Sequence, residues 1–153
     1  MAHIIDLACE ITGIRSRYLK IHDSVFGLSV SRSASLLQRR APIFYGDRER
    51  ELCALEEQLV GLESALARVD SDELTKRARN EVHATLVQYT GRLVATVRHL
   101  KEICRNLSLD EAEYRRSADN GESRFRHDKI RYDYSIQELK RWGAKMNDLF
   151  SSF

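Results

Sequence analysis

The sequence predicts an all-α fold, an elongated antiparallel helical bundle or coiled coil of three to four long amphipathic helices. Three observations carry this. Apolar residues recur at alternating spacings of three and four along most of the chain. Only one Pro and seven Gly punctuate 153 residues, too few for the turns of an all-β fold. No stretch shows the period-two alternation of a half-buried strand. The length suits one domain spanning 1–153, with helices expected at 3–31, 47–69, 72–107 and 109–150 and a connector at 32–46.

The first helix is the most regular. Ile4, Leu7, Ile11, Ile14, Tyr18, Ile21, Val25 and Leu28 are spaced 3, 4, 3, 4, 3, 4, 3, an unbroken heptad seam. Ile5, Leu19 and Phe26 widen the stripe beyond one partner's needs, so this helix is expected to touch more than one neighbour. The connector SVSRSASLLQRRAP (29–42) contains Pro42, which forbids an ordinary helix through it. Arg32 and the serines around it fit the loose pattern of a basophilic kinase site, making Ser33 and Ser35 candidate phosphosites.

The second helix repeats the ladder in Leu52, Leu55, Leu59, Leu62, Leu66 and Val69, with Asp47 and Glu49 in its first turn, where the helix dipole favours acids. The seam then changes phase before Leu74, which leaves open a break at 70–72. The third helix carries Leu86, Tyr89, Leu93, Thr96, Leu100, Ile103 and Leu107. Ser108 with Glu111 reads as a capping box that starts the fourth helix. That helix has a polar opening, an Asn120-Gly121 turn signal that leaves open a break at 117–123, and a seam of Phe125, Tyr132, Leu139, Trp142, Met146, Leu149 and Phe153.

Charge is balanced overall at +2 but segregated. Residues 47–73 hold nine acids and three bases, whereas 74–106 hold seven bases and two acids. Glu49, Glu56, Glu63 and Asp70 lie seven apart and form an acidic rail beside the second helix's seam. Flanking charges of opposite sign choose helix partners. The rail is therefore expected to meet the basic third helix of the same chain or, less favoured, an external basic partner. Arg98, Lys101 and Arg105 on the third helix, with Arg124 and Arg126 on the fourth, are candidate contacts to an anionic surface. Asp119, Glu122, Asp128 and Asp133 interleave with the second group and speak against phosphate, so nucleic acid is not expected.

The residue sets of common chemistries are missing. There is no Glu-x-x-His, His-x-x-x-His, Cys-x-x-Cys or glycine-rich phosphate loop, so no catalytic residue, metal site or cofactor is assigned. Three separated cysteines, an acid-interrupted N-terminus and no apolar run of membrane length lead to an expected cytoplasmic, intracellular protein. The expected function is a non-enzymatic protein–protein interaction or assembly module, a scaffold, adaptor or oligomeric subunit. Its contacts are the acidic rail together with Ile5, Leu19, Phe26, Phe150 and Phe153. The alternatives are a peripheral membrane module or a nucleic-acid-linked regulator. Arg124-Phe125, Lys129, Asp133-Tyr134 and Leu139 resemble the last helix of sorting-nexin-type BAR domains, but only in a generic amphipathic pattern.

Overall fold

The computed structural model describes residues 2–27, 44–69, 77–117 and 121–151, with the side chains of 2, 77 and 78 outside that description. It is an all-α helical bundle. Among the described residues, four helices follow in order: α1 (Ala2–Phe26), α2 (Tyr45–Ala67), α3 (Arg77–Arg115) and α4 (Arg124–Ser151). Among the described residues there is no strand, and no helix is long and apolar enough to cross a membrane.

The central element is α3, against which α2 and α4 lie along their lengths, while α1 packs mainly on α2 and partly on α3. Cross-links at both ends show α2 and α3 to be antiparallel. Tyr45, at the start of α2, donates to Glu111 near the end of α3, and His83 near the start of α3 reaches the Leu66 carbonyl at the end of α2. The same holds for α3 and α4, where Tyr114 donates to Asp128 and a Cβ built on Gly143 would lie 3.4 Å from the Tyr89 ring. The seams meet in one core, with Ile4, Ile11, Tyr18, Leu52, Leu59, Leu66, Leu86, Leu93, Leu100, Ile103 and Tyr132 essentially fully buried. Each buried aliphatic side chain contributes roughly 1.5–3 kcal/mol, so the seams supply the driving force for assembly of the bundle.

Helix ends explain where the boundaries depart from expectation. The first helix, expected to run to residue 31, ends at Phe26. Gly27 follows at φ +50°, and its amide donates to the Asp23 carbonyl at 2.7 Å, a left-handed C-cap that Gly adopts without strain. The heptad spacing continues to Leu28 and hides this stop; Leu28 itself, most of the connector, the 70–72 break, Asp70, Ser33, Ser35 and Phe153 lie outside the described residues. At the other end of α2, the imidazole Nε2 of His83 donates to the Leu66 carbonyl at 2.8 Å, adding a second donor to an oxygen that also accepts from the Val69 amide at 3.3 Å.

The capping box at Ser108 is corrected. Ser108 Oγ donates back to the Arg105 carbonyl at 2.7 Å, inside the helix. The backbone turns extended at Asp110 instead (φ −158°, ψ 89°), and Asp110 Oδ1 accepts from the Glu113 amide at 3.1 Å. SLDEAE spells two overlapping box patterns, Ser108–Glu111 and Asp110–Glu113, and the side-chain cap comes from Asp110, while the Glu113 carboxylate pairs with Arg116. Beyond Arg115 the chain leaves the helix, passes Gly121 at φ +82°, and restarts at Arg124 under Ser123, whose Oγ accepts from the Arg126 amide at 3.1 Å. Across this corner Tyr114 donates to Asp128 Oδ2 at 2.5 Å and its ring meets Phe125 edge-on, holding the end of α3 to the start of α4.

The two boxes are separable by mutation. Asp110→Ala is expected to lower unfolding free energy by about 1 kcal/mol in urea titrations, and Ser108→Ala by less than about 0.5 kcal/mol. The reverse order would restore the Ser108 cap.

Candidate functional site, a groove between the first and last helices

One member of the acidic rail, Glu56, is paired inside the chain. Glu56, with its side chain only 17% exposed, accepts from Arg98 Nε at 2.7 Å and from Lys101 Nζ at 2.5 Å. Burial alone would raise the Glu56 pKa, but the hydrogen bonds from Lys101 and Arg98 outweigh it and hold the carboxyl below its usual value. The bond to Glu56 correspondingly raises the pKa of Lys101. Glu63 is half-buried and faces α3, its Oε2 3.9 Å from a Cβ built on Gly91, and Glu49 is also half-buried. Among the candidate anion contacts, Arg98 and Lys101 are thus paired, and Arg105 lies 3.9 Å from Glu102 on its own helix. Arg124 stands over the Tyr114 ring, and Arg126 is exposed.

A different region gathers chemistry that the sequence did not flag. Tyr18 and Tyr132, both buried, point at each other from α1 and α4 and bring their hydroxyls to 2.5 Å. Tyr132 Oη also lies 2.7 Å from His22 Nδ1. With a neutral imidazole, the chain is satisfied by Tyr18 donating to Tyr132 and Tyr132 donating to His22. Burial depresses the His22 pKa, with Asp23 and Asp133 opposing and Lys129 and Lys140 assisting. Burial likewise pushes both phenols well above their ordinary range. Phe26, an expected partner contact, closes the end of this cluster. Its ring centroid is 5.2 Å from that of His22 and 5.7 Å from that of Tyr132, and Lys129 Nζ sits 4.7 Å above it.

The tyrosine pair holds two helices apart as well as together. Among the described residues, no Cα of α1 comes within 8 Å of a Cα of α4. The space between them is a groove of about 540 Å³. Its floor is Ile11, Leu86, Tyr89, Leu139 and Met146, and its walls include Leu19 from α1 and Phe150 from α4. Leu19 and Phe150 remain 39% and 40% exposed, so two of the residues singled out as partner contacts share one surface. Ile5 is exposed at the end of the same α1 stripe, and Phe26 lies at the other end. Gly143 keeps the floor shallow, because its missing side chain lets the α4 backbone rest near the Tyr89 ring.

No protein-family model, no curated protein and no solved structure matches this chain. Its site is therefore described from its own residues. Among the described residues, no three His, Cys, Asp or Glu side chains converge as metal ligands would. Cys104 is buried and its thiol is pushed up to about 12, a protonated and inert group at neutral pH, whereas Cys9 and Cys53 are exposed on separate helices. The groove combines an apolar floor, aromatic and aliphatic walls, and ionisable groups at its edges.

A signal for it exists in the sequence. Ile5, Ala8, Thr12, Arg15, Leu19, His22 and Phe26 form a second 3/4 ladder on α1, and Ile136, Lys140, Gly143, Asn147 and Phe150 form one on α4. Polar members mask both ladders when only apolar residues are counted.

Two measurements test the hydroxyl chain. Tyr132→Phe removes the partner of both Tyr18 and His22, and is expected to cost about 1–3 kcal/mol in chemical denaturation. Tyr18→Phe leaves the Tyr132–His22 bond intact and is expected to cost about 1 kcal/mol or less. His22 supplies a pH signature. Its folded pKa lies below the unfolded value, so as pH falls through about 6.5 the unfolded chain takes a proton that the folded chain refuses, and stability drops. Between about pH 7.5 and 5.5 the wild-type melting temperature is expected to fall more than that of His22→Gln, whose amide oxygen can still accept from Tyr132. Equal falls would remove His22 as the source.

Proposed function

We propose that this chain is a non-enzymatic helical interaction and assembly module, working through the groove between α1 and α4. One observation carries the reading. The bundle buries its seams on α2 and α3 yet leaves a groove whose walls continue in heptad spacing and end in exposed Leu19 and Phe150. Heptad-spaced walls carrying exposed Leu19 and Phe150 above an apolar floor are the kind of surface that helix-in-groove partners recognise. The internal use of Glu56, Arg98 and Lys101 supports the same reading, since the strongest acid–base match on α2 and α3 is already satisfied by folding. It also takes from an anionic-surface module two of the basic side chains it would need.

Photo-crosslinking with sedimentation tests this. A benzoyl-phenylalanine placed at Leu19 is expected to trap discrete partners or a second copy in native extract, while the same group at exposed Glu57 on α2 traps neither. Self-assembly would appear as a larger species in sedimentation velocity that Leu19→Lys dissolves. A chain that stays a compact monomer at high concentration and crosslinks no better from 19 than from 57 is not an interaction module of this kind.

A further inference from the structure

The interaction reading leaves the occupant of the groove open, and the inference that follows rests on that reading. α1 and α4 run antiparallel across the groove. The level that joins Tyr18 and His22 to Tyr132 is followed by one where Arg15 acts electrostatically on Tyr89, the ring against which Gly143 packs. Arg15 on the α1 wall and Lys140, one turn before Gly143 on the α4 wall, both line the groove, and Lys140 also acts electrostatically on His22. Both are exposed, and among the described residues neither pairs with an acid. Two like charges flanking an apolar floor repel each other, and a carboxylate placed between them would relieve that repulsion. Among the described residues, Asp23 is the only acidic side chain lining the groove, and it lies at the end beside His22.

Both walls repeat in threes and fours. An occupant that fits Leu19, Ile11, Leu139 and Phe150 together must present apolar groups at that period, as a helix does and an acyl chain does not. We infer that the groove takes an amphipathic partner helix whose apolar stripe lies on this floor and whose flanking Asp or Glu sits between Arg15 and Lys140. Leu19 and Phe150 supply the apolar anchors, and the two cations select the charge and fix the register.

The test uses two stapled helical peptides of about three heptads, with Leu at the seam positions. They differ only at one central flanking position, Glu in one and Lys in the other. In fluorescence anisotropy with the full chain, the Glu peptide is expected to bind about tenfold tighter than the Lys peptide, and raised salt narrows the gap. The double charge reversal Arg15→Glu with Lys140→Glu is expected to invert the preference. Arg15→Met with Lys140→Met serves if the reversal does not fold, and should erase the preference while retaining binding. Leu19→Lys weakens both peptides. Equal binding of the two peptides by the wild type, or an order that both double variants leave unchanged, overturns the inference. If neither peptide binds but crosslinking from position 19 still traps a partner or a second copy, the interaction reading stands and the acidic-helix inference fails. If neither peptide binds and position 19 traps nothing, both fail.

Discussion

Helices in a packed bundle ordinarily approach until their axes are about 8–10 Å apart, and the side chains between them set the final spacing. Between α1 and α4 that approach is stopped by two tyrosines meeting end to end, a strut with a hydrogen bond at its centre. Its length follows from the side chains, because a buried phenol can neither retract nor leave its hydroxyl unpaired without cost. Sliding α1 along α4 would separate Tyr132 from both Tyr18 and His22. One interaction therefore fixes the separation and the relative height of the two helices. The groove between the two helices, with its exposed Leu19 and Phe150, is spanned at one end by this contact.

The electrostatics divide along the same line. On the α2–α3 side, charge is consumed by folding, with Glu56 held by two cations and the end of α2 closed by His83. Exposed pairs of this kind are worth little singly, roughly 0–1 kcal/mol, but the half-buried Glu56 site favours one pairing of helices over others. On the α1–α4 side, Arg15 and Lys140 have no acidic partner among the described residues and stand beside an apolar floor. The same molecule thus has a satisfied flank and an unsatisfied one.

The helices themselves were legible in the sequence because burial imposes a period, and the seams of Ile4 to Val25 and Leu52 to Leu66 state it without interruption. Their ends were less so. Gly27 stops α1 in mid-heptad through backbone conformation, a property that side-chain spacing does not report. At SLDEAE two capping boxes compete on equal local terms, and the choice of Asp110 depends on how the following turn meets α4 through Tyr114. The acidic rail was visible as a stripe, but its engagement with Arg98 and Lys101 needed the register of two helices. Tyr18 and Tyr132 both lie in seams, yet nothing local says that residues 114 positions apart meet in a hydrogen bond.

That separation has a consequence for the order of assembly. The α2–α3 and α3–α4 pairs are hairpins, formed between neighbours in the chain, and their closure costs comparatively little entropy. The Tyr18–Tyr132 bond closes nearly the whole polypeptide into one loop, and such long-range contacts are slow to be rewarded during folding. The helices can therefore pair with their chain neighbours, α1 with α2 included, before the Tyr18–Tyr132 bond closes. On that route the groove, which needs the first helix and the last in place together, is the last surface the molecule completes.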